Sequence, residues 1–92
     1  REKESIRLQF SEHRFPYVLT KALHQSQRIV DFDNRVIEIN VIPNNELEAL
    51  ILSFGKDVEV LSPASYREQI QGIIRESYEK YFPVQVDCID VK

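Results

Sequence analysis

Residues 45–63, NELEALILSFGKDVEVLSP, decide the fold because they contain the patterns of two helices and of the strand between them. Asn45 with Glu48 three residues later is typical of a capped helix start. Gly55 supplies the left-handed residue that commonly ends a helix. Alternating Val and Glu residues then predict a short strand, and Pro63 predicts the first position of another helix, capped by the preceding serine. The helix that starts at Asn45 has an apolar stripe formed by Leu47, Leu50, Ile51 and Phe54, with Leu52 outside it.

The residues before this stretch begin with a strand and a helix. Residues 5–10 alternate between polar and apolar side chains, which is the pattern of a half-buried strand. Ser11 is a suitable cap for a helix over residues 12–23. The apolar positions of that helix recur at helical spacing and are Phe15, Val18, Leu19 and Leu23.

A β-hairpin is predicted next, with strands over residues 27–32 and 35–42. Asp33 and Asn34 lie between the two strands and tolerate the positive φ of a tight turn. The second strand has the period of two that marks one buried face. Its buried side chains are Ile37, Ile39 and Val41.

The predicted elements follow one another in the order β-α-β-β-α-β. This order predicts an α+β domain with a ferredoxin-like, split β-α-β antiparallel sheet and helices on one face. A third helix follows at the C-terminal end, and the alternating residues 83–92 predict an additional edge strand. The predicted core consists of Leu8, Phe10, Ile37, Ile39, Leu47, Leu50, Ile51, Phe54 and Val60.

The chain has 92 residues, of which 42% are hydrophobic, and this is enough for one domain. We expect residues 5–82 to form that domain. The charged residues 1–4 read as the end of an upstream linker, and residues 83–92 as a strand-like tail. Because the chain opens at Arg1 without a methionine, we expect it to be part of a longer protein.

The charge of the chain limits the ligands that it suits. A net charge of -3 argues against general binding to the phosphate backbone of nucleic acids. Residues 1–35 nevertheless carry seven Lys and Arg against five Asp and Glu, so an anionic ligand is expected there. The single cysteine, Cys88, excludes an internal disulfide, and no apolar run is long enough to span a bilayer. A soluble, cytoplasmic domain with no membrane partner is therefore expected.

The sequence contains no pattern of catalytic, metal-binding or cofactor-binding residues. His13 and His24 have no cysteine or carboxylate at the spacing of metal ligands, and no serine lies in a nucleophile elbow. We therefore expect no enzyme, no metal and no cofactor. Aromatic residues close to arginines suit either the core or the stacking of nucleic-acid bases. These residues are Phe15, Tyr17 and Phe32.

Three segments resemble one known family. Residues 50–63, the run His24-Gln25-Ser26-Gln27 and residues 66–70 resemble the C-terminal extension, called WCX, of WYL-domain bacterial transcription regulators. The resemblance implies a longer protein in which an N-terminal winged helix binds promoter DNA and a WYL domain senses a ligand. It also implies that the extension contributes to dimerisation or to the effector surface. Nucleic acid, including single-stranded DNA, is the effector of some members.

We therefore expect a non-catalytic regulatory domain that senses an effector, forms a homodimer, or does both. The alternatives are a purely structural dimerisation module and a stand-alone ferredoxin-like small-molecule-binding domain or enzyme. The predicted contacts with a nucleic-acid or nucleotide effector lie where the chain enters the hairpin, with Arg35 adjacent across the turn. A second interpretation is that two of these side chains, Ser26 and Gln27, only satisfy backbone groups. The predicted contact residues are His24, Ser26, Gln27, Arg28 and Arg35.

Overall fold

A computed structural model describes residues 2–82. The described strands form one antiparallel sheet in the order β2-β3-β1-β4. The predicted α+β class, the four-stranded antiparallel sheet and the C-terminal helix are confirmed, whereas the edge strand predicted for residues 83–92 lies outside the described residues. The elements are β1 (Glu4–Phe10), α1 (Phe15–Thr20), β2 (Arg28–Asp31), β3 (Val36–Val41), α2 (Asn45–Ser53), a 3-10 turn (Gly55–Asp57), β4 (Val58–Ser62) and α3 (Ala64–Tyr81).

The two faces of the sheet differ in polarity, although the more polar face also carries the buried residue Val36, which is aligned with Gln9. Leu8 is aligned with Ile37 on β3 and with Val60 on β4, so three strands place apolar side chains on one face. The buried side chains of α1, α2 and α3 all belong to the core on that face. By the alternation of strands, the opposite face carries polar side chains. We call it the open face and define it by Ser5, Arg7, Gln9, Arg28, Glu38, Asn40 and Glu59.

The core joins the apolar face of the sheet to the three helices. Phe10 and Phe54 meet in an edge-to-face arrangement with ring centroids 5.3 Å apart, a favourable geometry for aromatic pairs. Of the predicted core, Leu8, Phe10, Ile37, Ile39, Ile51, Phe54 and Val60 are buried, and Leu47 is half-buried against them.

The prediction for α2 was wrong at Leu50, which is 36% exposed. Leu52, predicted to face outward, instead packs against the core. Leu52 lines an apolar groove together with Ile70 and Ile74 of α3, so this side of α2 faces apolar side chains. The cap is also shifted by one residue, because the backbone N–H of Leu47 donates to Asn44 Oδ1 at 2.7 Å.

The helix α1 is shorter than predicted. It begins at Phe15, and Ser11 does not cap it directly. Ser11 Oγ instead accepts a hydrogen bond from the backbone N–H of Arg14 at 3.2 Å and donates one to Asp57 Oδ1 at 3.0 Å. These bonds hold the turn at residues 12–14 outside the helix, which ends at Thr20.

The hairpin turn also differs from the prediction, since Arg35 has the positive φ of 62°. Asp31 stabilises the turn by accepting hydrogen bonds from the backbone and the side-chain amide of Asn34, at 3.2 and 2.7 Å. The side-chain bond and then the backbone bond lower the pKa of the Asp31 carboxyl. A register shift between Ile29 and Asp31 accompanies this turn.

The last helix begins one residue later than predicted. Ser62 belongs to β4, and Pro63 is the residue before the helix, which has no side-chain cap. Tyr66 and Ile70 are buried, but the apolar stripe continues past the sheet into solvent. Its exposed members are Ile74, Tyr78 and Tyr81, with Phe82 just beyond the helix.

The two glycines give a matched pair for measuring backbone strain. Gly55 has a φ of +59°, as predicted for a helix stop, whereas Gly72 lies within α3, and a Cβ at Gly72 would meet no atom within 4 Å. Gly55→Ala is expected to lower the free energy of unfolding by about 1–2 kcal/mol because it forces a Cβ into the left-handed region. Gly72→Ala is expected to raise it by about 0.5–1 kcal/mol. Urea denaturation of both variants measures the two changes in the free energy of unfolding. Changes of the same sign and size would contradict the predicted strain at Gly55.

Candidate functional site

Ser26 lies at the centre of a hydrogen-bonded junction between the loop after α1 and β3. Its Oγ lies 2.7 Å from His24 Nδ1. The same oxygen accepts from the backbone N–H of Asn40 at 2.8 Å and donates to the Asn40 carbonyl at 3.3 Å. The serine therefore extends the pairing of the hairpin beyond the first residue of β2.

Gln27 connects the loop to the C-terminal end of α1. Its Oε1 accepts from the backbone N–H of Leu23 at 2.8 Å, and its Nε2 donates to the Val18 carbonyl at 3.2 Å. Both ends of the amide are thus bonded to backbone. These bonds, like those of Ser26, are the ones that the second interpretation predicts, and contact with an effector stays a prediction.

Arg28 takes part in a charged cluster on the open face. Arg28 Nη2 and Arg7 Nε donate to the same oxygen, Glu38 Oε1, at 3.3 and 3.0 Å. The register explains this convergence, because Glu38 on the middle strand is aligned with Arg7 on β1 and with Arg28 on β2. The Arg28 side chain is 64% exposed and that of Arg7 46%, whereas that of Glu38 is 13% exposed.

The surroundings of Glu38 keep its carboxyl ionised. Partial burial raises the pKa of Glu38, but the hydrogen bond from Arg7 and the charges of Arg28 and Arg7 outweigh that effect, with a smaller contribution from Ser5. The pKa of Glu38 is therefore below its ordinary value. At neutral pH the cluster holds two guanidinium groups and one carboxylate, which leaves one positive charge on this part of the open face.

Arg35 does not lie beside the other predicted contact residues. Its Nε donates to the Phe10 carbonyl at 2.8 Å, at the turn end of the hairpin. Ser26 lies at the other end, next to Asn40. The expectation that Arg35 is adjacent to the others was therefore wrong, because the side chain turns back to the end of β1.

The aromatic residues divide into one that is buried in the core and two that are exposed. Phe15 is buried in the core, whereas Tyr17 and Phe32 are exposed. Phe32 packs edge-to-face on Phe15 with ring centroids 5.7 Å apart, and the Arg14 guanidinium lies 5.4 Å from the centroid of the Tyr17 ring. Both exposed rings therefore lie close to α1 rather than in the arginine cluster.

An apolar groove lies between α2, β4 and α3. Its volume is about 600 Å³, and Leu52, Val58, Ile70 and Ile74 supply apolar lining. Lys56 and Arg67 also line it, and Arg67 is bonded to Glu59 and to the Val60 carbonyl. The groove is continuous with the exposed stripe of α3 because Ile74 belongs to both.

Within residues 2–82, no cluster of three or more histidine, cysteine, aspartate or glutamate side chains is placed to hold a metal ion. None of the helices in that range combines the length and the apolar composition that a bilayer-spanning segment needs.

These features define a small α+β domain with a one-sided sheet, a polar junction at the hairpin and an arginine cluster on its solvent-facing side. A family model described as the WCX domain matches residues 2–78, and the chain therefore belongs to the WCX domain family. No curated protein matches the chain.

Two members of the arginine cluster, Arg7 and Glu38, were not predicted as site residues. The alternation of residues 5–10 and 35–42 contained a signal for them, because each lies between two buried positions and so faces outward. Only the register of β1 with β3 shows that they meet.

Proposed function

We propose that this WCX domain is a non-catalytic regulatory part of a WYL-type DNA-binding transcription regulator. The match of the WCX model to residues 2–78 carries this proposal. In the proposed protein, promoter DNA is bound by an N-terminal domain outside this chain, and the WCX domain takes part in effector sensing, in homodimer formation, or in both. Such a role requires a cytoplasmic location, which we propose as well.

The strand arrangement supports a ferredoxin-like topology for the domain. β1 and β2 are both antiparallel to β3, which lies between them. They are therefore parallel to each other and joined through α1, which is the split β-α-β arrangement. Many unrelated functions occur on this fold, so the topology alone does not favour regulation.

The proposed effector surface centres on Arg28, with His24, Ser26 and Gln27 at the start of the hairpin and Arg35 as a more distant member. A nucleotide or single-stranded nucleic acid is the proposed effector. The exposure of the Arg28 side chain supports direct contact. The backbone bonds of Ser26 and Gln27 support a role in holding the loop that directly precedes this arginine.

A homodimer is the second part of the proposal, and the exposed stripe of α3 supports it. A contiguous apolar patch on a small domain usually marks an interface. A second copy can bury the stripe by a two-fold arrangement, in which the same surface serves both subunits. We therefore propose that Ile74 and Tyr78 contact the partner subunit.

The main alternative is a stand-alone small-molecule-binding domain or enzyme, and the groove of about 600 Å³ is the feature that favours it. The two proposals differ in what they require upstream of Arg1. A winged-helix segment followed by a WYL segment supports regulation, and their absence from the full gene product supports the alternative. Effector-dependent promoter binding by the full-length protein tests the same distinction directly.

Substitutions at Arg28 and Gln27 separate contact with the effector from support of the loop. In the full-length regulator, Arg28→Ala is expected to abolish the effect of single-stranded oligonucleotides on promoter binding while the melting temperature stays unchanged. Gln27→Ala is expected to lower the free energy of unfolding by about 1–3 kcal/mol, because two backbone groups lose their partners. Promoter binding and thermal melting, each with Arg75→Ala as a control, measure both effects. A normal effector response in Arg28→Ala would contradict the proposed contact.

A further inference from the structure

The arginine cluster of the open face contains more donors than its own carboxylate uses. Arg7 Nε and Arg28 Nη2 each form one bond to Glu38 Oε1. A guanidinium carries five N–H donors, so each of these arginines keeps several that are free of Glu38. Both side chains are substantially exposed, and the remaining donors are accessible to a ligand.

Glu38 also brings the two positive charges close together. Because both nitrogens bond to one oxygen, at 3.0 and 3.3 Å, they lie within about 6 Å of each other. Like charges at this distance repel each other, and one carboxylate compensates only one of the two. A second anion at this position would complete the charge balance.

On one side of the cluster, the neighbours on the open face are small and polar. Ser5 and Asn40 form the next pair of the β1–β3 ladder on the same face as Arg7 and Glu38. Ser62, on the neighbouring strand β4, is aligned with Arg7. Their hydroxyl and amide groups can donate to an anion, and their small size leaves the arginines accessible to it. The helices place their buried side chains on the opposite face of the sheet, so no described helix packs its core side over this surface.

We propose that Arg7 and Arg28, held together by Glu38, form a binding site for a phosphate group. A phosphate offers several oxygens around one centre, so two arginines can bond to it from different sides, and paired arginines are the preferred recognition group for such anions. The phosphate belongs to a free nucleotide or to the backbone of a single strand. This inference deepens the proposed effector surface and rests on it, since Arg28 belongs to both. It adds Arg7 as a contact residue and Glu38 as a positioning residue.

Glu38 has two opposing effects in this arrangement. It orients both guanidinium groups, and it also competes with the incoming phosphate for their donors. Glu38→Gln keeps the size of the side chain and removes its negative charge. The variant is therefore expected to bind phosphate ligands more tightly than the wild-type protein, whereas a purely structural ion pair predicts no gain in binding.

The test is isothermal titration calorimetry on the full-length protein with thymidine monophosphate, a short oligothymidylate, inorganic phosphate, thymidine and citrate. Phosphate-bearing ligands are expected to bind, thymidine is not, and citrate is expected to bind more weakly than phosphate because each of its carboxylates offers only two oxygens. Arg7→Ala and Arg28→Ala are each expected to weaken the binding by about tenfold, the loss of a hydrogen bond between charged groups. Arg75→Ala on α3 is expected to leave it unchanged. Arg7→Lys and Arg28→Lys keep the charge and provide folded proteins if an alanine variant is unstable.

The ligand series also identifies the source of the phosphate. If the oligothymidylate binds more tightly than the monophosphate, and the salt dependence of its binding decreases by about 0.7 in slope in Arg7→Ala, the ligand is a nucleic-acid strand. Equal binding of the two identifies a free nucleotide. Unchanged affinity in both the alanine and the lysine variants, or citrate binding as strong as phosphate binding, would overturn the inference.

Failure of the phosphate site is distinguishable from failure of the proposed regulatory function. If promoter binding still responds to an effector in Arg7→Ala and phosphate ligands do not bind the cluster, the regulatory role stands and the phosphate site is refuted. If phosphate ligands bind the cluster but promoter binding responds to no effector, the phosphate site stands and the regulatory role is refuted.

Discussion

Ile51→Ala is expected to lower the free energy of unfolding by about 2–5 kcal/mol, whereas Leu50→Ala is expected to change it by less than about 1 kcal/mol. The two residues are adjacent in α2 and have side chains of similar size. Ile51 is 1% exposed and Leu50 is 36% exposed, so only the first substitution leaves a cavity in the core. Chemical denaturation of the two variants measures the difference.

A loss of this size is a large share of the stability of so small a domain, so Ile51→Ala carries a risk of unfolding. Ile51→Val removes a single methyl group and is expected to cost about 0.5–1.5 kcal/mol, which keeps the comparison measurable. Equal costs for Ile51→Ala and Leu50→Ala would mean that α2 is rotated about its axis relative to the arrangement described above.

The second large effect is expected on association. Ile74→Glu and Tyr78→Glu each place a charge in the apolar stripe of α3, and burying an unpaired charge in an interface is strongly unfavourable. Each substitution is expected to weaken homodimer formation by the full-length protein by at least about 30-fold, the equivalent of about 2 kcal/mol. Sedimentation equilibrium over a range of protein concentrations measures the dissociation constant.

A matched control for this experiment lies on the same helix. Gly72 is about 160° from Ile74 around α3, at 100° per residue, and it has open space around it. Gly72→Glu adds the same charge away from the stripe and is expected to leave association unchanged. A dimer that persists in both stripe variants at the wild-type dissociation constant would contradict the proposed contact of α3 with the partner subunit.

The strands and the buried face of the sheet could be predicted because a strand's period of two is a local property of the sequence. The alternation around Leu8 and around Ile37 is sufficient to identify both buried faces. The register between strands is not local, since it depends on the turn and on the packing of the whole sheet. For that reason the meeting of Arg7, Glu38 and Arg28 is visible only in the structure.

The helices were predicted less accurately, and the errors have a physical cause. The orientation of a short helix about its axis depends on its neighbours, and here Leu52 packs on the core and shares a groove with apolar side chains of α3, which the spacing of residues in α2 does not reveal. Similarly, Ser11 forms its side-chain bond to Asp57, 46 residues away in the sequence. Such a distant partner shortens α1 in a way that local capping rules do not anticipate.

The division of the sheet into two unlike faces has a consequence for how recognition changes during evolution. Substitutions at outward positions such as Arg7 and Arg28 remove no core contact, because the core side chains on β1 and β3 point to the opposite side and β2 contributes none to the core. New side chains at these positions can therefore arise and be selected without loss of foldability. Related domains that keep the same packed interior are free to diverge in the ligands that they recognise.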